Sequence, residues 1–400
     1  MAGHVLMLAY TFPSPSQPYR GTYTLELLKE LGRLTRVTVV APVLVPLPRE
    51  KFRQTREAAA QVPQVEHIGP TVVYRPRFLD SPRFGRQLNN YFMTLSVLVC
   101  MAQNRLSSVD LIHGQFAEVS GHVAVLIGRL LRKPVVTTAH GSEINVYGFE
   151  AGYELERKRV ISALTHSTRV IAVSRALAER VIKLGAPAER VTVITNGVDI
   201  QKFRPMEQAC ARAHLGLPQR DKIILYVGSL LEHKGLGILS QAGIVLRAKG
   251  ETPLIYLVGD GDFRENLASY IAEHGLDGQM RLFGARPHDE LPFWMNAADV
   301  LVLPSFREGW PTVLFESLAC GTPVVATKVG GIPEAIHSAD YGLLVEPGDA
   351  AGLAETLREA FMRSWDKKKL VAYAQENTWS SKAEQTCQVY QQVTQEAKKA

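Results

Sequence analysis

The sequence predicts an α/β protein made of two doubly wound parallel sheets in series. Three observations carry that reading. Short β-branched or aliphatic runs alternate with longer amphipathic stretches along the whole chain. The runs are continuously apolar, the pattern of strands buried on both faces of a parallel sheet. The series then restarts near the middle of 400 residues, a length beyond one ordinary core.

In the first half the strand-like runs are 5–9, 36–41, 71–74, 111–113, 135–139, 170–173 and 191–194. In the second half they are 223–227, 254–258, 280–283, 300–303 and 324–326. Helical patterns lie between them, for example at 24–35, 121–131, 154–164 and 177–184. Residues 46–65, rich in Pro, Arg and Gln, read as a mobile loop with some helix. The turn signal Asn196-Gly197-Val198-Asp199 precedes a stretch without periodicity and marks the boundary. The expected organisation is a domain over 1–198, a second over 199–378, and a polar helical tail over 379–400. In that tail Glu384, Val389, Tyr390 and Val393 are spaced for one face.

Composition narrows the classes. No run reaches the roughly 18 to 20 apolar residues a membrane span needs. Residues 91–102 come nearest and suit a buried or interfacial helix. The N-terminus lacks the basic-then-apolar pattern of a signal peptide, and Cys100, Cys210, Cys320 and Cys387 show no C-x-x-C pairing. A cytoplasmic protein is therefore expected. The net charge of +6 is uneven: residues 1–200 carry 24 Lys+Arg against 15 Asp+Glu, whereas 201–400 carry 21 against 24. A basic first half suits anionic lipid headgroups or a phosphorylated acceptor, or a plain solvated surface. Nucleic acid is not expected, because no binding motif accompanies the charge. No G-x-G-x-x-G with a following acidic residue, no P-loop and no G-x-S-x-G occurs. These absences argue against dinucleotide oxidoreductases, P-loop NTPases and serine hydrolases.

The richest motif runs Arg307-Glu308-Gly309-Trp310-Pro311-Thr312-Val313-Leu314-Phe315-Glu316, then Ala319-Cys320-Gly321-Thr322-Pro323-Val324-Val325-Ala326. A strand ends, a Gly/Pro loop turns, and a helix begins near Thr312. The N–H groups at such a helix start can hold a phosphate or a sugar hydroxyl. Glu308 in the loop and Glu316 one turn into the helix can face one crevice at the strands' carboxyl ends. Two carboxylates there suit acid/base work or the binding of vicinal hydroxyls.

The E-x7-E spacing, the A-C-G-T-P-V-V-A block and Gly330-Gly331-Ile332-Pro333-Glu334 together resemble retaining glycosyltransferase family 4. The resemblance spans nearly the whole chain. It takes in Phe12-Pro13, Arg20-Gly21-Thr22, His113-Gly114-Gln115-Phe116, His140-Gly141-Ser142-Glu143 and Ala172-Val173-Ser174. It continues through Asn196-Gly197-Val198-Asp199, Val227-Gly228, Lys234-Gly235 and Val258-Gly259-Asp260-Gly261. The N-terminal pattern is most similar to transferases of bacterial surface polysaccharides of the teichuronic-acid type.

That resemblance implies the GT-B arrangement, two Rossmann-like domains facing a cleft, with the last helix crossing back to the first domain. It implies that Glu316 holds the nucleotide's ribose hydroxyls and that Glu308 contacts the transferred sugar. Amides around Gly309, Trp310, Pro311 and Thr312 would cradle the sugar and distal phosphate, although Pro311 has no N–H. Lys234 would neutralise the departing diphosphate, where charge develops. The family usually has an Arg directly after Val227-Gly228. Ser229 stands there instead, so that loop assures one cation. Gly259 and Phe283 would border the nucleobase, and Gly21 and Thr22 would close over the phosphate or the acceptor. His140 would approach the sugar's hydroxymethyl group. Arg20, His113, Phe116 and Glu143 fall on the acceptor side.

Asp260-Gly261-Asp262 invites a metal reading, but the resembled family uses this turn at the donor without one. No cofactor and no metal are expected, the nucleotide sugar being a substrate. The expected enzyme is a hexosyltransferase that moves a hexosyl-type sugar, with retention, from a nucleoside diphosphate sugar. A UDP-sugar is favoured and a GDP-sugar comes next. The acceptor is the hydroxyl of a lipid-linked or saccharide molecule in surface polysaccharide biosynthesis, met at the inner face of the plasma membrane. A same-fold sugar-nucleotide epimerase and a non-catalytic assembly scaffold are the alternatives. The complete E-x7-E block disfavours the first, and only Ser229 favours the second.

Overall fold

A computed structural model describes residues 3–15, 17, 18, 20–46, 52–80 and 88–399 of the chain. They form two compact units, one of residues 1–196 with 379–400 and the other of residues 197–378. The first unit contains β1 (His4–Leu8), α1 (Thr22–Leu34), β2 (Arg36–Val40), β3 (Val43–Pro46) and α2 (Arg53–Gln61). Then come β4 (Val65–Ile68), β5 (Thr71–Tyr74), β6 (Arg77–Asp80), α3 (Asn89–Gln103), β7 (Leu111–Gln115) and α4 (His122–Leu131). It continues with β8 (Val135–Ala139), α5 (Glu154–His166), β9 (Arg169–Ala172), α6 (Arg175–Lys183) and β10 (Val191–Val193).

Eight strands form its main sheet in the order β10-β9-β8-β7-β1-β2-β5-β4. Its pairs are parallel except β4 with β5, and β3 pairs with β6 in a separate ribbon. Alternate residues of β1 feed opposite faces, as strand pleating requires. Val5 and Met7 pack against Leu28 and Leu31 of α1. Leu6 and Leu8 meet Met93 and Val97 of α3 and Val123 and Ile127 of α4. Strands β3, β4 and β6 have no counterpart among the runs read from the sequence. β4 and β6 are short and carry charged residues, so no apolar run marks them, whereas β3 is apolar but follows β2 after only two residues. Within 46–65 the structure has helix α2, and residues 47–51 lie outside the described residues.

The second unit contains α7 (Gln208–Leu215), β11 (Ile223–Val227), α8 (Leu236–Ala248), β12 (Leu254–Val258), α9 (Arg264–Glu273) and β13 (Met280–Gly284). It continues through α10 (Leu291–Ala297), β14 (Val300–Leu303), α11 (Thr312–Ala319), β15 (Val324–Thr327) and α12 (Ile332–Ala335). It ends with β16 (Gly342–Val345), α13 (Ala350–Met362) and α14 (Lys367–Gln375). Its six parallel strands lie in the order β13-β12-β11-β14-β15-β16, the doubly wound order whose direction reverses between β11 and β14. Strands β11 and β14 are wholly buried, which explains their continuous apolar sequence.

The chain closes with α15 (Trp379–Lys399), which belongs to the first unit. Ala383, Cys387, Tyr390 and Val393 of α15 join the core shared with α1 and β1. Glu384 is exposed, so the face is set by Ala383 and Cys387 with Tyr390 and Val393. Among the described residues no helix is long and apolar enough to cross a membrane.

Candidate active site

In the second unit the loops after β11, β12, β14 and β15 are stitched together by backbone bonds at the strands' carboxyl ends. Leu230 N donates to Asp260 O (2.9 Å), Gly259 N to Gly284 O (2.9 Å) and Phe306 N to His233 O (2.8 Å). Gly331 N reaches Gly309 O at 3.2 Å. Two glycines make the close approaches possible. Gly259 (φ 149°) lies against Gly228 O, where a Cβ would come within 1.8 Å. Gly330 (φ 53°) lies against Glu308 O, where a Cβ would come within 2.0 Å.

This platform presents the charged pair. Lys234 Nζ lies 2.6 Å from Glu308 Oε1, the two side chains being 19% and 10% exposed. Ser305 Oγ donates to the same carboxylate oxygen at 2.7 Å. Both residues belong to loops flanking the β11/β14 reversal, where doubly wound sheets bind ligands. Tyr226, below them, has its hydroxyl pKa raised, first by burial and then by the Glu308 charge. Its hydroxyl donates to Ser229 O (2.8 Å), so Ser229 contributes a carbonyl to the loop's internal order while its side chain stays exposed.

Glu316 sits in the second turn of α11, 13% exposed, with His288 Nε2 at 3.4 Å from its Oε1. Lys202 Nζ lies 3.1 Å from His288 Nδ1 and 2.8 Å from Asp289 Oδ1. A lysine can only donate, so Nδ1 accepts and the proton on Nε2 points at Glu316. Sequence reasoning missed Lys202 and His288; no motif surrounds them, and 86 residues separate them. Trp310 stacks on Phe315 at 5.4 Å, which fixes the entry to α11 at Pro311 and Thr312. Phe283 packs 5.0 Å from Tyr256 and 4.5 Å from Trp294, half-buried at the edge of an aromatic cluster. Asp260 accepts from Gly261 N and pairs with Arg264 at 3.8 Å. Among the described residues no group of three or more His, Cys, Asp or Glu gathers as a metal site.

In the first unit the loops after β1, β7 and β8 meet around His140. The Phe116 ring lies 4.5 Å and the Tyr23 ring 4.6 Å from the imidazole. Phe116 takes positive φ (71°) and opens a π-helical turn over Phe116–Gly121, and a second such turn follows His140 at Glu143–Tyr147. Such turns often occur at functional sites. Gly21 (φ 74°) starts α1 with its backbone against Thr11 O, and Thr22 follows as the helix's first residue. Arg20 is exposed, its guanidinium 5.1 Å above the Tyr10 ring.

A hydrogen-bond chain fixes the tautomers. His113 Nδ1 bonds Tyr390 Oη (2.6 Å), and its Nε2 meets Thr138 Oγ1 (2.7 Å) and Gln115 Nε2 (3.4 Å). The Gln115 amide nitrogen donates, so His113 Nε2 accepts and Nδ1 carries the proton. Gln115 Oε1 must then accept from His140 Nε2 at 2.8 Å, leaving His140 Nδ1 as a bare acceptor. That Nδ1 is buried without a hydrogen-bond partner, as are Thr24 Oγ1 and Thr195 Oγ1. All three residues line one small cavity, with Trp379 and Lys382 of α15. Burial, followed by the neighbouring histidine, pushes the His140 pKa down to about 3. The ring is therefore neutral at neutral pH, with Nε2–H given to Gln115 and Nδ1 left as an acceptor.

Two expectations are corrected. His113 is fully buried with both nitrogens engaged, so it offers no atom to an acceptor; it braces β7 against α15. Glu143 is 2% exposed, and its carboxylate accepts from His140 N (2.8 Å) and Gly141 N (3.0 Å). It clamps the His-Gly turn, and burial raises its pKa despite those bonds. Gln115 and Tyr23 were missed, although the period of two in β7 places Gln115 beside His113.

Two Rossmann-like units in series, the second with a carboxylate-lysine pair at its sheet reversal, have the architecture of the GT-B class. Comparison with known proteins agrees. The profile described as "Glycosyltransferase Family 4" matches residues 21–202, and "Glycosyl transferases group 1" matches residues 208–377. The chain is 30% identical over 358 residues to a Bacillus subtilis (strain 168) protein named as a teichuronic acid biosynthesis glycosyltransferase, covering 88% of each. Its fold is similar to a sucrose-phosphate synthase from Thermosynechococcus elongatus (TM-score 0.79, 23% identity, 98% of both chains). It is similar also to Anabaena HepE solved in complex with UDP-glucose (TM-score 0.67, 22% identity, 99% of this chain and 100% of the other). The chain belongs to glycosyltransferase family 4 and is a hexosyltransferase.

Proposed function

We propose that the chain transfers a hexosyl-type sugar from a nucleoside diphosphate sugar to a hydroxyl of a saccharide or lipid-linked acceptor in surface polysaccharide biosynthesis. The reading rests on the Lys234–Glu308 pair at the β11/β14 reversal, with Glu316 one helical turn along α11. Glu316 binds the ribose hydroxyls, held ready by His288. Lys234 exchanges its carboxylate partner for the diphosphate and stabilises the charge left when the C1–O bond breaks. Glu308, Gly309 and the amide of Thr312 hold the sugar and its phosphate. Gly228, Ser229, Gly259 and Phe283 border the nucleotide. Same-face substitution retains the anomeric configuration. The acceptor oxygen bonds C1 while its proton passes to the departing phosphate oxygen. No metal enters, Lys234 supplying the cation. A UDP-sugar is favoured as donor, in line with the ligand named for HepE. The teichuronic-acid relative supports the polysaccharide context.

A melting screen against UDP-, GDP- and ADP-sugars tests the donor. A ligand present at about 100 times its Kd stabilises by about 2.7 kcal/mol, a rise on the order of 5 °C. The rise is expected with a UDP-sugar; no rise with any of the three contradicts the reading. Coupled detection of nucleotide release and a glycosylated product then separates transfer from epimerisation, which forms no such product.

A further inference from the structure

Helix α3 carries no charged residue from Asn89 to Gln103, yet one of its faces is open. Leu88 just before it (37% exposed), Tyr91 (56%), Leu95 (60%) and Val99 (46%) stand three or four residues apart and form one stripe. The opposite face, with Met93, Val97 and Met101, is core, so burial inside the unit does not account for the stripe. Scattered exposed apolar residues are ordinary, but an uncharged, continuous stripe over three turns is not how a solvated helix reads.

The stripe has a charged fringe of one sign. α3 and α4 each lead into neighbouring parallel strands, β7 and β8, so they run side by side in the same direction. Near their starts Asn90 bonds Glu118 O and His122 Nδ1. At their far ends stand exposed Arg105, Arg129 and Arg132, with Lys133 beside them and Leu130 (66% exposed) among them. None of these four cations pairs with a carboxylate among the described residues. The carboxylates in residues 88–134 are Asp110, held by His4 N, and Glu118, buried against Arg159.

We propose that the α3 stripe and the basic ends of α3 and α4 dock the first unit onto an anionic lipid surface. Tyr91, Leu95, Val99 and Leu130 enter the headgroup boundary, while Arg105, Arg129, Arg132 and Lys133 meet the lipid phosphates. A second copy of the chain fits less well, because the same face of a symmetric partner offers these cations only carboxylates that are already engaged. The surface deepens the lipid-linked reading of the acceptor and rests on it for purpose, but vesicle binding is read with neither donor nor acceptor present.

The test is flotation of the full chain with vesicles of phosphatidylcholine alone or mixed with phosphatidylglycerol. Binding is expected to the anionic vesicles only, and to weaken as salt is raised. Leu95→Glu with Val99→Glu, and separately Arg129→Glu with Arg132→Glu, should each weaken it about tenfold or more. Both double variants should keep the wild-type melting temperature and donor turnover. Failure of the wild-type chain to float with anionic vesicles, or undiminished binding by both variants, would overturn the proposal. A wild-type dimer that the Leu95/Val99 variant dissolves, without vesicle binding, would assign the face to a second copy and overturn it too. Loss of transfer with vesicle binding intact would fault the proposed function and leave this surface standing.

Discussion

At the scale of the residue, charge placement decides what each site group can do. His140 is held neutral by burial, so what it offers is a lone pair on Nδ1, kept in place by one bond from Nε2 to Gln115. On the proposed function Gln115 would act through His140 as a positioning residue. Gln115→Leu would leave the Nε2 proton without an acceptor in a buried place, a penalty that ring rotation relieves at the cost of aim. The expected result is a kcat lower by about tenfold with donor KM within about twofold, because orientation and not binding is lost. Equal falls in kcat and in donor affinity, or no change in either, would show that the bond has no such role. Glu308, Glu316, Lys234 and His140 were legible in the sequence because strand-end motifs surround them. His288 and Lys202 were not, since a contact across 86 residues leaves no local pattern. His113 and Glu143 were legible as polar residues at strand ends. Their direction was not, because which side of a strand or turn is covered depends on packing that periodicity does not encode.

At the scale of the element, turns do most of the positioning. The loop bearing Glu308 is held where Gly330 brings its backbone against the Glu308 carbonyl, at a φ of 53°. Gly330→Ala places a methyl group into that carbonyl and adds the cost of a left-handed L-residue, about 1–2 kcal/mol. A raised donor KM and a melting temperature lower by a few degrees are expected; wild-type kinetics with wild-type melting would show that the loop is not seated by this contact. The buried strands were readable from continuous apolar runs, and β8, β11, β12 and β14 appear at the residues the runs mark. The short strands β4 and β6 were not, since charged residues break their apolar pattern, and β3 and β16, though apolar, were missed. Helix α15 showed its apolar positions, although Glu384 faces out and Ala383 takes the buried place.

At the scale of the whole molecule, the buried histidines set a pH response. His113 and His140 are pushed down to about 3 and His122 to about 4, against about 6.5 in an unfolded chain. Between those values the unfolded state binds more protons, so this stability is present above pH 6.5 and is lost as pH falls toward 4. Glu143, raised by burial, works in the opposite sense, but it is one group against three. A melting temperature clearly lower at pH 5.5 than at pH 7.5 is expected. An equal or higher value at pH 5.5 would mean that these rings are not held neutral.

The central claim is that Glu308, Lys234 and Glu316 of the second unit form the donor site, while His140 of the first unit serves the transfer step. Steady-state kinetics with UDP-glucose or the best donor from the melting screen, on Glu316→Ala and His140→Ala beside the wild-type chain, test it most directly. Glu316→Ala is expected to raise donor KM by about tenfold or more. His140→Ala is expected to lower kcat by about a hundredfold with little change in KM. Unchanged donor KM in Glu316→Ala would contradict that claim.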